Sequence, residues 1–570
     1  MSHPPSAEDA RFADLAKRWL DGTMRLSPTW ATGVGDHRFD SEVDDVTPEG
    51  DGKRLAFAEG MRDALSGIDT GQLGRENQID AGILRAHLEG SLWSSKTLRE
   101  QTWNPLHYND LAGNAIYLLL ARDFAPLPER LEHAAARIEK LPALLAQARQ
   151  NLDRAHVPKI HAETVARQNP GIISLVDELI VPQLGKLPAA ARTRLEAAVA
   201  ALRLAVAEHQ KWIEEILVPG ARGDFRIGAE KYDRKLGFAL SSTLSRREIR
   251  ERAEEELARV RSEMYGIARG VLSDKPGAPG LPAAPSEAQQ QQAIEAALEL
   301  AYVDHPGRAD VVKVATLALT EATAFVRARG LISVPDDPVK VIVMPAFQRG
   351  VAIAYCDSLG PLDRGQATTY AISPIPQDWS AEQTESFLRE YNTRMLHLLS
   401  IHEAMPGHYL EGARAAMHPS VLRAVLRSGT FAEGWAVYTE QMMAHAGYLN
   451  GDPLFRLVQL KFYLRTIGNA ILDQGVHVDG WTRAQGMDLM VRLTFQQERE
   501  AAGKWVRAQL TSAQLPTYFV GVQEQLDLRK AVEAREGARF DARRYHDAVV
   551  SYGAPPLRYV RAMMLDQPIR

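Results

Sequence analysis

A chain of 570 residues with 45% apolar and 24% charged residues has the make-up of a folded, enzyme-sized protein, and is too long for a single hydrophobic core. Its 67 Lys and Arg nearly balance 72 Asp and Glu, giving a net charge of −5; this leaves no basic footprint for nucleic acid or an anionic membrane, and neither partner is expected. The single cysteine, Cys356, rules out an intrachain disulfide and a thiolate metal cage, so any metal has to be held by His and carboxylates.

In chain order, the opening stretch MSHPPSAEDARFADLAKRW becomes charged before any apolar run develops, and no long uncharged stretch follows. A cytoplasmic protein with no transmembrane segment is expected. Helical periodicity then dominates. RLEHAAARIEKLPALLAQARQNL, ARTRLEAAVAALRLAVAEHQKWIEEIL and REIRERAEEELARVRSEMYGIARGVL repeat apolar residues at three- and four-residue steps with charges between, the pattern of amphipathic helices that serve as scaffold. At residues 273–292, SDKPGAPGLPAAPSEAQQQQ, Pro, Gly and Gln replace that pattern, as in an exposed connection. It is expected to separate a helical half, residues 1–272, from a second half, residues 293–570, the two forming one compact unit. No fixed-period repeat is present, which argues against a solenoid.

Residues 339–360, VKVIVMPAFQRGVAIAYCDSLG, and the following ATTYAISPI alternate and carry β-branched residues between Gly and Pro breaks, predicting two or three short strands. Such a sheet is either structural or an edge able to pair with an extended peptide. Next, DWSAEQTESFLREYNTRMLHLLSIHEAMPGH predicts a helix capped by Ser380, with Gln383 completing a capping box, running to about Met405. Pro406 stops it, since the ring has no N–H and collides with the carbonyl of His402.

That stop bears on the chemistry. In the HExxH zinc motif the two His stand one turn apart on one helix face, whereas His402 and His408 stand six apart. On a regular helix six steps leave the second His roughly 120° from the first. They can share a metal only if Pro406 and Gly407 break the helix between them. Glu403 follows the first His, where a general base can take a proton from the attacking water. A catalytic zinc needs a third protein ligand and an open position, and Glu433 in FAEGWAVYTE, residues 431–440, is the candidate. This segment is similar to the NEGFAxYxE stretch of gluzincin aminopeptidases, whose first Glu binds zinc. Glu440, two turns further on the same face, is placed to orient a His ligand instead.

HEAMPGHYLEG together with FAEGWAVYTE resembles the bacterial domain-of-unknown-function family 885, with its HEAxPGH and EGWAxYxE motifs. LSPTWATGVGDHRFD, WNPLHYND, PKIHAETVARQNPG and YHDAVVSYGAPPLRYVR resemble further segments of that family in the expected order. The resemblance implies a zinc peptidase with His402, His408 and Glu433 as ligands of one zinc per chain and Glu403 as base. The chain departs from the family pattern at Tyr409, often a second His, at Glu411, often Gln, and at Ser512–Ala513, usually Pro-Gly. Tyr518 still falls on the family's Tyr. A phenol beside the metal can donate to the oxyanion that forms when an amide is attacked, and Tyr370, Tyr438 and His477 are its rivals for that role. Arg465, Arg492 and Arg529 are candidates to hold a substrate carboxylate.

These observations together predict a mainly α, multi-helical peptidase-like fold with a small β-sheet beside the active-site helix and a deep central cleft. The expected activity is zinc-dependent hydrolysis of short or unfolded peptides. One alternative is a zinc amidohydrolase acting on a non-peptide amide or ester; another is a non-catalytic helical binding protein with a structural metal, for which Glu403 would be superfluous.

Overall fold

The computed structural model describes residues 6–336, 339–344, 353–357, 360–363 and 368–569. It is mainly helical, with one small sheet of three strands. The chain forms two compact units, one of residues 1–225, 359–366 and 420–426, the other of residues 226–358, 367–419 and 427–570.

Among its described residues, the named elements of the first unit are all helices. The Ala/Leu-rich segment read as one scaffold helix runs from Ala189 to Trp212 and buries Leu195, Leu202 and Val206, on the three- and four-residue steps expected of an amphipathic face. The RLEHAAARIEK segment instead divides into Leu127–Ile138 and Leu141–Asn151, with Pro142 in the first turn of the second helix, where its missing N–H goes unused. Both pack into a core with Tyr108, Ile116, Leu202 and Ile213. Residues 420–426 are held to this unit by charge. Arg423 is fully buried, its Nε donates to Asp80 Oδ1 at 2.6 Å, and Ser420 Oγ donates to Asp80 Oδ2 at 2.6 Å.

In the second unit the helix Arg246–Leu272 starts at the capping box of Ser245 and Glu248. The 273–292 stretch lies wholly inside this unit, not at the division between units, which falls at Phe225. Nor is it all connection. Ser286 and Gln289 form a second capping box, so the Gln run opens the helix Glu287–Tyr302.

The sheet comprises β1 (Lys340–Val343), β2 (Ala354–Asp357) and β3 (Thr369–Ile372) in the order β1-β3-β2. β1 pairs with β3 in parallel, β2 with β3 antiparallel, and Cys356 stands opposite Tyr370. Residues 345–352, part of the predicted strand region, lie outside the described residues. Next come α1 (Ala381–Glu390) and α2 (Thr393–Glu403). The Ser380–Gln383 capping box is present, but the single helix expected from Ser380 to Met405 is two, because the Asn392 side chain accepts the Met395 N–H and caps a new start. The remaining elements that build the site are α3 (His408–Ala415), α4 (Gly429–His445), α5 (Pro453–His477), α6 (Glu498–Leu510) and α7 (Pro516–Glu536). Among the described residues no helix is long and apolar enough to cross a membrane.

Asp80→Ala removes the carboxylate bonded to the buried Arg423 Nε, while Glu76 still pairs with its Nη2. Removing one partner of a buried ion pair costs about 3–5 kcal/mol, so this variant is expected to unfold earlier in denaturant and to be cut faster by protease at residues 420–426. An unchanged midpoint and cleavage rate would show that the pair does not hold the segment.

Candidate metal centre

α2 ends at Glu403 and α3 starts at His408, so the break falls between the two His of the motif. Pro406 blocks the helical ladder. Gly407 is required by space: its φ is −77°, open to any residue, but a Cβ there would come within 1.9 Å of the His402 carbonyl oxygen. The Gly407 N–H donates to the Ile401 carbonyl at 2.9 Å, and Trp435 of the EGW motif donates its indole N–H to the Pro406 carbonyl at 2.9 Å. The two motifs therefore brace each other through the backbone.

The turn brings the imidazoles together, with ring centroids 4.8 Å apart. His402 Nε2 lies 3.6 Å and His408 Nε2 3.5 Å from Glu433 Oε2. Two tetrahedral ligands at about 2.1 Å from a zinc stand about 3.4 Å apart, so these three atoms have the spacing of a metal's donor set. His402, His408 and Glu433 are the group among the described residues that fits a metal ion. The other nitrogen of His402, Nδ1, is bonded to Glu440 Oε1 at 2.6 Å. A carboxylate there holds the N–H on Nδ1 and leaves the Nε2 lone pair free for a metal.

Electrostatics follow from burial. For Glu433, burial pushes the carboxyl pKa up, but the two imidazoles beside it, His402 and His408, outweigh it and the net shift is downward. Burial dominates at Glu440 and takes it to about 7. Glu403 is raised as well, again chiefly by burial, with His402 and His408 pulling the other way. The Glu403 carboxylate is located by β2: the Cys356 N–H donates to Glu403 Oε2 at 3.1 Å, using the edge of β2 not paired with β3.

Tyr518 is brought to the centre by a close crossing of α4 and α7. A Cβ on Gly434 would meet the Gly521 carbonyl carbon at 2.4 Å, and one on Gly521 would meet the Thr430 oxygen at 2.2 Å. Backbones this close place Tyr518, one turn before Gly521, beside Glu433, the neighbour of Gly434. Burial raises the phenol's pKa, Glu433 adds to the shift, and the positive charge of Arg507 opposes it. The preceding loop explains the Ser512–Ala513 departure. Ala513 takes φ 60°, a left-handed conformation that favours Gly, and Asp473 Oδ2 holds it by accepting its N–H at 2.8 Å. Glu411, another departure, is fully buried and ion-paired with Arg427.

The rivals of Tyr518 are engaged elsewhere. Tyr438 is bonded to His546 Nε2 at 2.7 Å and receives Arg529 Nη1 at 2.9 Å. The Tyr370 hydroxyl is buried against Ser400 Oγ at 3.4 Å, and His477 Nε2 donates to the carbonyls of Ala508 and Thr511 at 2.8 and 2.7 Å. Of the three arginines, Arg492 is on the surface with Asp488 and Glu287, and Arg529 pairs with Glu533; neither is drawn to the donor set. Arg465 is nearer, over the Phe462 ring at 5.6 Å, and that ring lies 6.1 Å from the His402 ring. Sequence reasoning missed Phe462, Lys504, Arg507 and the Cys356 amide. Lys504 follows Glu500 by four residues and reads as an ordinary helix surface pair; a backbone N–H carries no signal in a sequence at all.

A mainly helical protein with a candidate His–His–Glu donor set beside two further carboxylates, Glu403 and Glu440, is thus the class defined by fold and site. The family model described as "Bacterial protein of unknown function (DUF885)" matches residues 28–564, and the chain belongs to this family. No curated protein matches it. A solved structure described as a "putative lipoprotein of unknown function" from Shewanella oneidensis is 32% identical, with a TM-score of 0.83 over 97% of this chain and 99% of that one. A second, a "putative lipoprotein" from Colwellia psychrerythraea, shares the fold at 18% identity, with a TM-score of 0.81 over 98% and 99% of the two chains.

If the donor set holds a metal, Ala at His402, His408 or Glu433 each lowers metal content sharply in elemental analysis. Glu440→Ala keeps the ligands but frees the His402 ring, and affinity is expected to fall about 10–100-fold in a competition titration with a chelator. Equal affinity in wild type and Glu440→Ala would remove Glu440 from that role.

Proposed function

We propose that the protein is a zinc-dependent peptidase whose reacting groups are Glu403 and Tyr518. The observation that carries this reading is Glu403 itself: a carboxylate adjacent in sequence to ligand His402, held by the Cys356 N–H and raised toward neutrality by burial. A structural metal needs no such group, whereas a general base works best with its pKa moved toward the working pH. The three donors His402, His408 and Glu433 suit zinc, which when bound polarises a carbonyl and makes water more acidic.

Glu403 takes the proton of the attacking water and returns it to the amine that leaves. Tyr518 donates its phenolic hydrogen to the oxygen on which negative charge develops, with the positive charge of Arg507 nearby. Short or unfolded peptides are the proposed substrates. The cytoplasmic location expected from the sequence is kept with this reading; cell fractionation checks it, since recovery with membranes is what the solved relatives' description would lead one to find.

Glu403→Gln is expected to keep the fold and the zinc while turnover falls about 100- to 10,000-fold, measured by mass spectrometry on a mixed peptide pool with and without chelator. An undiminished rate in a zinc-loaded Glu403→Gln would overturn the mechanism. Tyr518→Phe should bind zinc normally and slow turnover by roughly two to three orders of magnitude; near wild-type activity would take the phenol out of the chemistry.

A further inference from the structure

Near the donor set lies a lysine that the reaction above does not use. Lys504, on α6, is 5% exposed, and among the described residues its ammonium makes no hydrogen bond or ion pair. Glu500, one turn earlier on the same helix, is taken by Arg465 at 2.6 Å. The other carboxylate acting on Lys504 is Glu433, which belongs to the donor set. Burial, with Arg465 and Arg507 adding repulsion, pushes the Lys504 pKa well down. Without a protein counter-charge the amine is held toward its neutral form, and an arriving carboxylate would supply the charge that lets it keep a proton.

The neighbourhood is continuous with the centre. The Phe462 ring is 6.1 Å from the His402 ring, Arg465 lies over Phe462 at 5.6 Å, and Arg465 holds Glu500. A few residues of extended peptide, at about 3.5 Å each, cover such a stretch. We propose that Lys504 receives the terminal carboxylate of the substrate, so that the protein acts at the carboxyl end of peptides. This rests on the peptidase reading for turnover but not for binding. Arg465, occupied by Glu500, holds the lining rather than the ligand.

The test compares one peptide as free acid and as amide, plus an amide ending in Glu, on zinc-loaded wild type and Lys504→Met. The wild type is expected to favour the acid by about a hundredfold in kcat/KM, mostly through KM, as for a charge pair formed equally in ground and transition states. In Lys504→Met the acid-to-amide ratio should collapse to about one at unchanged zinc content. Its melting temperature should not fall, because the replaced ammonium has no protein partner. Calorimetric binding of an N-acetyl dipeptide and of its amide supplies a readout without turnover. Tighter binding of the acid that Lys504→Met abolishes supports the carboxylate site even if no peptide is cleaved, an outcome that would sink the peptidase reading alone. Equal use of acid and amide by the wild type, a preference that survives Lys504→Met, or full recovery by the Glu-ending amide overturns the proposal.

Discussion

The contact on which the centre depends is that of Gly407 with the carbonyl of His402. With 1.9 Å between that oxygen and the place where a Cβ would stand, any other residue would force the backbone of α3 away from α2. His408 would then swing off the face it shares with His402. The same turn exposes the Pro406 carbonyl to Trp435, so the loop that leads to His408 is keyed to the helix that carries Glu433 and Glu440. Two stretches of chain distant in sequence are thereby fixed in one register. A second close approach, Gly434 on Gly521, does for α7 what the first does for α3. Small residues at both points let backbones carry reactive side chains to one place without long, flexible reaches.

Much of this was legible in the residues, and for identifiable reasons. The six-residue spacing of His402 and His408 made sense only with a break, and Pro-Gly between them announced it. The seven-residue interval from Glu433 to Glu440 put both on one helix face, and the structure sets Glu440 against His402 Nδ1. The helical character and the short strands followed from periodicity and β-branched runs. Illegible features share a physical cause: they depend on which chain end, edge or face is opposite. Asn392 divides a helix that periodicity joins, since apolar spacing continues smoothly from α1 into α2 while a local side-chain cap decides the break. The Gln run after Ser286 reads as low complexity, yet Gln is a fair helix former once a cap supplies the start. The unit boundary at Phe225 has no compositional mark, because a boundary is a shortage of long-range contacts and not a property of the local residues.

The departures from the family pattern are also physical statements. Ala513 in the left-handed region carries strain that a Gly would not, and the buried Asp473, bonded to Tyr232 and to the Ala513 N–H, supplies a compensating hold on the loop that leads into α7. Glu411 in place of an amide adds a buried charge, and Arg427 matches it. Ala513 and Glu411 are thus each met by a partner beside the centre.

Charge gives the last connection. Glu403, Glu433 and Glu440 converge on two imidazoles in a largely buried space, and like charges so close cannot all ionise without a cation. The balance among them reflects this: Glu433 is held low by both His, whereas Glu440 is lifted to about 7 and Glu403 is lifted too. His402, despite burial that opposes its charging, is raised by Glu433 and Glu440. A positive charge at the point between His402 Nε2, His408 Nε2 and Glu433 Oε2 would suit this set. A divalent ion there would satisfy Glu433 and Glu440 together, leaving Glu403, the one carboxylate fixed by a backbone amide of the sheet, as the group able to gain and lose a proton. The division of labour among three chemically identical side chains thus follows from their partners: the Nε2 atoms of both imidazoles for Glu433, the Nδ1 of His402 for Glu440, and the edge of β2 for Glu403.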